Sequence, residues 1–189
     1  MRVLGIAGSI RRESYNRALL EAARQVAPHG MSIEVFDLAR IPLYNADLDS
    51  DTARPDEVVR LKAAIAAADA LLIVTPEYNY SVPGVLQNAI DWASRPGMKS
   101  VLAGKPAGII GASTSLIGTA RAQQQLKLVL MGTLSLVMPH AGVLVGQAKD
   151  KFDASGALTH EPTRQFVAAY MKDLEAWTRR VAPPPPRRP

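Results

Sequence analysis

Ala70-Leu71-Leu72-Ile73-Val74-Thr75 is apolar without a break up to its threonine, and Pro76 ends it. The run is too short for a buried helix in this context and shows no alternation, so neither of its faces is built for water. A segment of this kind is a strand covered on both sides, the mark of a parallel sheet with helices above and below it. Residues 3–7 and 105–112 read in the same way, residues 32–38 alternate like a strand with one covered face, and a fifth strand falls within 134–145.

Helical patterns separate these strands. From 15 to 26, Ala18, Leu19, Ala22, Ala23 and Val26 recur at three- and four-residue spacing, with Ser14 or Asn16 as the N-cap. Pro55 opens a second helix whose apolar stripe is Val58, Leu61, Ala64, Ile65 and Ala68. A third follows Gly84, with Val85, Leu86, Ala89, Ile90 and Trp92 as its apolar positions. Two more span 119–131 and about 163–178. The order βαβαβαβαβα predicts an α/β fold, a doubly wound five-stranded parallel sheet in a three-layer αβα arrangement. Met131 and Met138 are expected in its core.

In such a sheet, ligands lie beyond the carboxyl ends of the strands where the strand order reverses. For the order 2-1-3-4-5 that point is between strands one and three. The three loops richest in chemistry follow strands one, three and four, so this topology brings them to one rim. In the first, Gly8 and Ser9 lead into a helix start, where free N–H groups and the positive end of the helix dipole meet. Ser9, Ser14 and Asn16 add hydrogen-bond donors, and Arg11 and Arg12 add charge. A phosphate monoester, at about −1.5 to −2 near neutral pH, suits this loop; the alternative is an ordinary βα turn capped by serine. Neither G-x-G-x-x-G nor G-x-x-x-x-G-K-[ST] is present, which argues against a dinucleotide pyrophosphate and a triphosphate cradle.

The second loop, 76–84, suits a flat ring. Tyr78 and Tyr80 offer π faces, while Pro76 and Asn79 shape the backbone and leave amides free. Glu77 has no histidine or second carboxylate near it in sequence, so it is expected to brace its loop or a subunit contact rather than to act as a general base. In the third loop, G-x-S-x-G fails at position 115, and Ser113 reads as a donor to a ligand. His29, His140 and His160 are widely separated, which argues against a metal site.

The formal charge is +5, but Arg179, Arg180, Arg187 and Arg188 all lie among the last eleven residues, which contain no acid. Removing those four from 22 basic residues leaves 18 against 17 acidic ones, a body near +1. The basicity belongs to the last eleven residues, and a Pro/Arg-rich tail at 181–189 is expected to be extended and disordered beyond a single domain at 1–180. No nucleic-acid partner is therefore expected. The chain has no cysteine and no apolar tract long enough for a membrane, and a cytoplasmic protein is expected.

Three segments together carry a resemblance: Gly8-Ser9-Ile10-Arg11 with Ser14-Tyr15-Asn16; Pro76-Glu77-Tyr78-Asn79-Tyr80-Ser81-Val82-Pro83-Gly84 running into Asn88-Ala89-Ile90-Asp91-Trp92; and Gly111-Ala112-Ser113 with Arg121-Ala122-Gln123. Over roughly residues 1–178 the chain resembles the NADPH-dependent FMN reductases, a family that includes quinone, chromate and azo-dye reductases. The resemblance implies a flavodoxin-like fold holding FMN, with Ser9, Arg11, Ser14, Tyr15 and Asn16 around the phosphate. It also implies that Pro76, Glu77, Tyr78 and Asn79 line the isoalloxazine ring and that Ser113 contacts the flavin. The implied activity passes hydride from NADPH or NADH to FMN and on to a small-molecule acceptor, with no acid–base pair required because the cofactor carries the chemistry. A homodimer or dimer of dimers is implied too; the helix bearing Leu86, Ile90 and Trp92 either packs against a second copy or only covers the sheet. The alternative is a flavodoxin-like electron carrier, against which the near-neutral body speaks. One departure is visible: Thr114-Ser115-Leu116-Ile117 precede Gly118, where the family often has a glycine sooner.

Overall fold

The computed structural model describes residues 1–182. Along the chain run β1 (Arg2–Ala7), α1 (Tyr15–Gln25), β2 (Ser32–Phe36), α2 (Asp56–Ala67), β3 (Ala70–Val74), α3 (Gly84–Ala93) and β4 (Pro106–Ala112). They are followed by α4 (Ala120–Gly132), β5 (Leu136–Val137), β6 (Val143–Val145) and α5 (Glu161–Val181). Most of the expected tail, 183–189, lies outside the described residues. Among those described, no helix is long and apolar enough to cross a membrane.

The strands form one parallel sheet in the order β2-β1-β3-β4-β5, with β6 also on β4, as the connection pattern predicts. Register is tight at the centre, where Val3 faces Ala70 and Ala7 faces Val74, and every residue of β3 is buried. Full burial of side chains such as Leu71, Leu72 and Ile73 contributes about 1.5–3 kcal/mol each, which is why this run anchors the sheet. Against one face pack Leu19, Leu20 and Ala23 of α1 with Val167, Met171 and Leu174 of α5. Against the other pack α2, α3 and α4, through residues such as Leu61, Leu86 and Leu126. This division leaves the loops after β1, β3 and β4 together at one end.

One alternative left by the sequence is decided and two expectations are corrected. Leu86, Ile90 and Trp92 are buried within their own chain, with the Trp92 indole donating to Pro42 O at 2.8 Å, so they cover the sheet and present nothing to a second copy. Met138 is buried, but Met131 is 60% exposed on the outer side of α4. The fifth strand is split: Val137 pairs with Ala107 and Val143 with Ile110, so residues 138–142 bulge opposite Gly108 and Ile109. Pro139, with no N–H to give a ladder, lies in the bulge.

The gap is filled from α5. The Ile109 N–H donates to the Tyr170 hydroxyl at 2.6 Å, and the ring fits because residue 108 is glycine; a Cβ there would lie 3.0 Å from the hydroxyl. Burial keeps that phenol protonated well above its usual range. Tyr170→Phe leaves a buried N–H unpaired and is predicted to cost about 1–3 kcal/mol. In thermal melts of a chain this size, each kcal/mol lowers Tm by roughly 2–4 °C.

Candidate active site

The rim loops are joined by specific contacts. Ser14 is the N-cap of α1, its hydroxyl accepting from Asn16 N–H at 3.2 Å. Asn16 is a buried clamp: its amide nitrogen donates to Ala112 O and its amide oxygen accepts from Ala112 N–H, both at 2.8 Å. The first loop is thereby tied to the end of β4, immediately before Ser113. Ser9 is buried, and its hydroxyl lies 3.4 Å from that of Tyr78, joining the first loop to the second. Gly8 permits the approach, since a Cβ there would stand 3.3 Å from the Pro76 ring and 3.0 Å from Leu86.

The first loop is rich in unspent donors. Ser14 O accepts from Ala18 N–H, but the N–H groups of Arg12, Glu13, Ser14, Tyr15 and Arg17 have no partner among the described residues. Arg11 is loosely held, 4.0 Å from Glu13 and 5.9 Å from the Tyr15 ring centre. Tyr15 itself packs on Phe152 at 5.5 Å.

The second loop ends in a tight turn. Tyr78 and Ser81 exchange both backbone hydrogen bonds, at 3.1 and 3.0 Å, and Asn79 and Tyr80 between them have φ of 51° and 66°. Two positive φ values without glycine fit a turn of the I′ kind. Such backbone costs about 1–3 kcal/mol per residue and persists only where its surroundings enforce it. Here α4 does so: Gln125 donates to Tyr80 O and accepts from the Ser81 hydroxyl, and the Arg121 guanidinium sits 4.2 Å from the Tyr80 ring centre. Tyr78 and Tyr80 keep 50% and 66% of their surface exposed. The N–H groups of Glu77, Asn79 and Tyr80 are unengaged among the described residues.

Glu77 braces this loop. Its carboxylate accepts from the N–H groups of Arg121 and Ala122, at 2.9 and 3.2 Å, and from the Arg121 guanidinium at 3.0 Å. It thus caps α4, whose own N-cap Thr119 makes no side-chain cap bond. Burial pushes the Glu77 carboxyl up. The hydrogen bonds from Ala122 and Arg121, with the guanidinium's charge, outweigh burial and hold it below the ordinary carboxylate range.

In the third loop the Ser113 hydroxyl accepts from Ser115 N–H at 3.1 Å and donates to the Ser115 hydroxyl at 3.2 Å. Leu116 and Ile117 beyond it are exposed, so the departure noted in sequence places apolar side chains at the rim. Eight of the ten residues singled out thus lie on three linked loops, and Tyr15 and Asn16 lie in the first turn of α1. Sequence reasoning missed the supporting roles of Arg121, Gln125 and Ala112. Asn16 carried a readable signal: 16, 19, 20 and 23 form one helical stripe, so its amide had to point inward.

Comparison with known proteins bears on the family and the fold. The family described as NADPH-dependent FMN reductase matches residues 1–150. An NAD(P)H-dependent FMN reductase of Pseudomonas aeruginosa is 47% identical over 183 residues, covering 96% of this chain and 97% of the relative. A 2-hydroxy-1,4-benzoquinone reductase of a Burkholderia species is 42% identical over 179 residues, covering 95% and 97%. Among solved structures, a flavoenzyme NAD(P)H:(acceptor) oxidoreductase from Paracoccus denitrificans superposes with a TM-score of 0.86 at 35% identity, covering 95% of this chain and 97% of that one.

Two substitutions test the linkage of the loops. Asn16→Ala strands the Ala112 N–H and C=O and is predicted to lower unfolding free energy by about 2–4 kcal/mol in urea titration. Glu77 has a depressed folded pKa, so its contribution is complete above the unfolded pKa and is lost as pH falls through the folded value. Glu77→Gln should therefore cost about 1–2 kcal/mol at pH 7, and its deficit against the parent should shrink on acidification through that window. A deficit constant across the acid range would contradict the assignment.

Proposed function

This chain belongs to the NADPH-dependent FMN reductase family, and we propose that its three rim loops hold FMN by the phosphate in the first and the ring against the second, with a quinone as the electron acceptor. The enzyme is an NAD(P)H-dependent oxidoreductase that uses FMN. The donor set fits that cofactor: a row of unengaged N–H groups and Arg11 stands 3.4 Å-linked, through Ser9 and Tyr78, to a loop with exposed rings and free amides. That linkage is the observation that carries the reading.

FMN held there would supply the two-electron chemistry between the nicotinamide coenzyme and the acceptor. The protein's own task is to bind, orient and bias. Ser9, Ser14, the N–H groups ahead of α1 and Arg11 neutralise the phosphate, with Tyr15 and Asn16 shaping that loop. The unengaged N–H groups of Glu77 and Asn79 would offer fixed dipoles to a ring held against this loop. Glu77 keeps them there by its hold on α4. Pro76, Tyr78 and Ser113 border the ring, while Leu116 and Ile117 give the acceptor an apolar approach. The Burkholderia relative's named substrate supports a quinone. The protein works in the cytoplasm, which its lack of cysteine supports, as a homodimer or dimer of dimers. Exposed Leu128 and Met131 on α4 are the apolar face for a second copy.

Anaerobic mixing tests the reading. NADPH or NADH should bleach the visible absorbance of the FMN-loaded protein, and 1,4-benzoquinones should restore it, with parallel double-reciprocal plots in steady state. Chromate, azo dyes and free FMN complete the acceptor panel. Colour that persists with both coenzymes while dithionite removes it would make the protein an electron carrier instead.

A further inference from the structure

We propose that Gln125, an exposed residue of α4 outside the three rim loops, is a positioning residue for the ring half of the site. By holding the Asn79–Tyr80 turn in its positive-φ form it sets the affinity for an isoalloxazine ring and leaves the hold on the phosphate untouched. This rests on the proposed seating of a flavin ring against the second loop.

A two-residue turn with positive φ at both central positions is built for Asn-Gly, because asparagine tolerates this backbone and glycine has no Cβ to crowd it. Asparagine holds the first position here, but tyrosine holds the second, at φ 66°. A bulky side chain on such backbone is a true exception, and it persists only where its neighbours enforce it. The Tyr78–Ser81 hydrogen bonds close the turn, but turns of negative φ close in the same way. Something outside the turn selects its sense.

The selection comes from α4, which grips the loop at two places one helical turn apart. Arg121 and Ala122 give their N–H groups to the Glu77 carboxylate, and Gln125 donates to Tyr80 O at 3.2 Å while accepting from the Ser81 hydroxyl. The direction of the Tyr80 carbonyl follows from the backbone angles of Tyr80, so the Gln125 amide accepts one sense of the turn. Between the two grips lie the exposed Tyr78 ring and the unengaged N–H groups of Asn79 and Tyr80, the parts of this loop with most to offer a flat ring. Arg121 also stacks on Tyr80, at 4.2 Å, but it serves Glu77 as well. Gln125 bonds through its side chain to the turn alone among the described residues, so its replacement isolates the turn. If the relaxed turn does not seat the ring, apparent affinity falls by the fraction of molecules that keep the competent form.

The test titrates the apoprotein with FMN and with riboflavin, comparing the parent with Gln125→Ala, and Tyr80→Gly with the double variant. Gln125 is exposed, so alanine there opens no cavity. Gln125→Ala should weaken both flavins about tenfold, with the ratio of FMN to riboflavin affinity kept. Glycine adopts positive φ unaided, so on the Tyr80→Gly background the same change should cost less than about twofold, whatever the Tyr80 ring contributes by itself. That coupling separates a role through the turn from a general loosening of α4, which would weaken both backgrounds alike. Unchanged affinities in Gln125→Ala, a loss confined to FMN, or an equal loss on both backgrounds overturns the assignment. So does a Tyr80→Gly protein that binds neither flavin, since the Tyr80 ring and not the turn's backbone would then be what matters. A parent that takes up neither flavin overturns the functional reading and this assignment together, whereas a parent that binds both no better than Gln125→Ala refutes the assignment alone.

Discussion

Two hydrogen bonds between the Asn16 amide and the Ala112 backbone connect positions 96 residues apart, and the rim is organised around them. A parallel sheet delivers the loops after β1, β3 and β4 to one end, but leaves their spacing free. The clamp sets the start of α1 against the end of β4. From there, Ser9 meets Tyr78, and Glu77 passes the connection on to α4. Each bond contributes only about 1 kcal/mol net, yet leaving its buried partner unpaired costs more, so the set holds one arrangement of three loops.

The same economy shapes the electrostatics. The rim has no acid–base pair placed for chemistry; its one buried-side carboxylate, Glu77, is spent on the N–H groups and guanidinium of α4. What remains are donors, in the first loop and around the Tyr78–Ser81 turn, whose positive-φ backbone α4 enforces. A site of donors with exposed rings suits an anionic cofactor that carries its own reactivity. Arg11 brings a loosely held positive charge to the first loop, while the body as a whole is close to neutral.

The sheet was legible from sequence because its signals are local and strong. An uninterrupted apolar run at β3 and apolar stripes in α1 to α3 leave little freedom, and the chain order then selects the topology. The convergence of the three loops followed from that topology. The rest depended on pairings no window can see: Glu77 with Arg121, 44 residues on, and Tyr170 with Ile109, 61 residues back. The break in the fifth strand at Pro139 and its filling by a phenol from α5 are tertiary facts. Met131 shows the reverse failure, since apolar character alone does not say which side of a helix faces out.

Equilibrium titration of the apoprotein with FMN and with riboflavin tests the central claim most directly, because the two ligands share a ring and differ only in the phosphate. If the first loop holds the phosphate through several charged hydrogen bonds, FMN should bind at least about a hundredfold more tightly than riboflavin. Equal affinities, or an apoprotein that FMN fails to saturate, would contradict it.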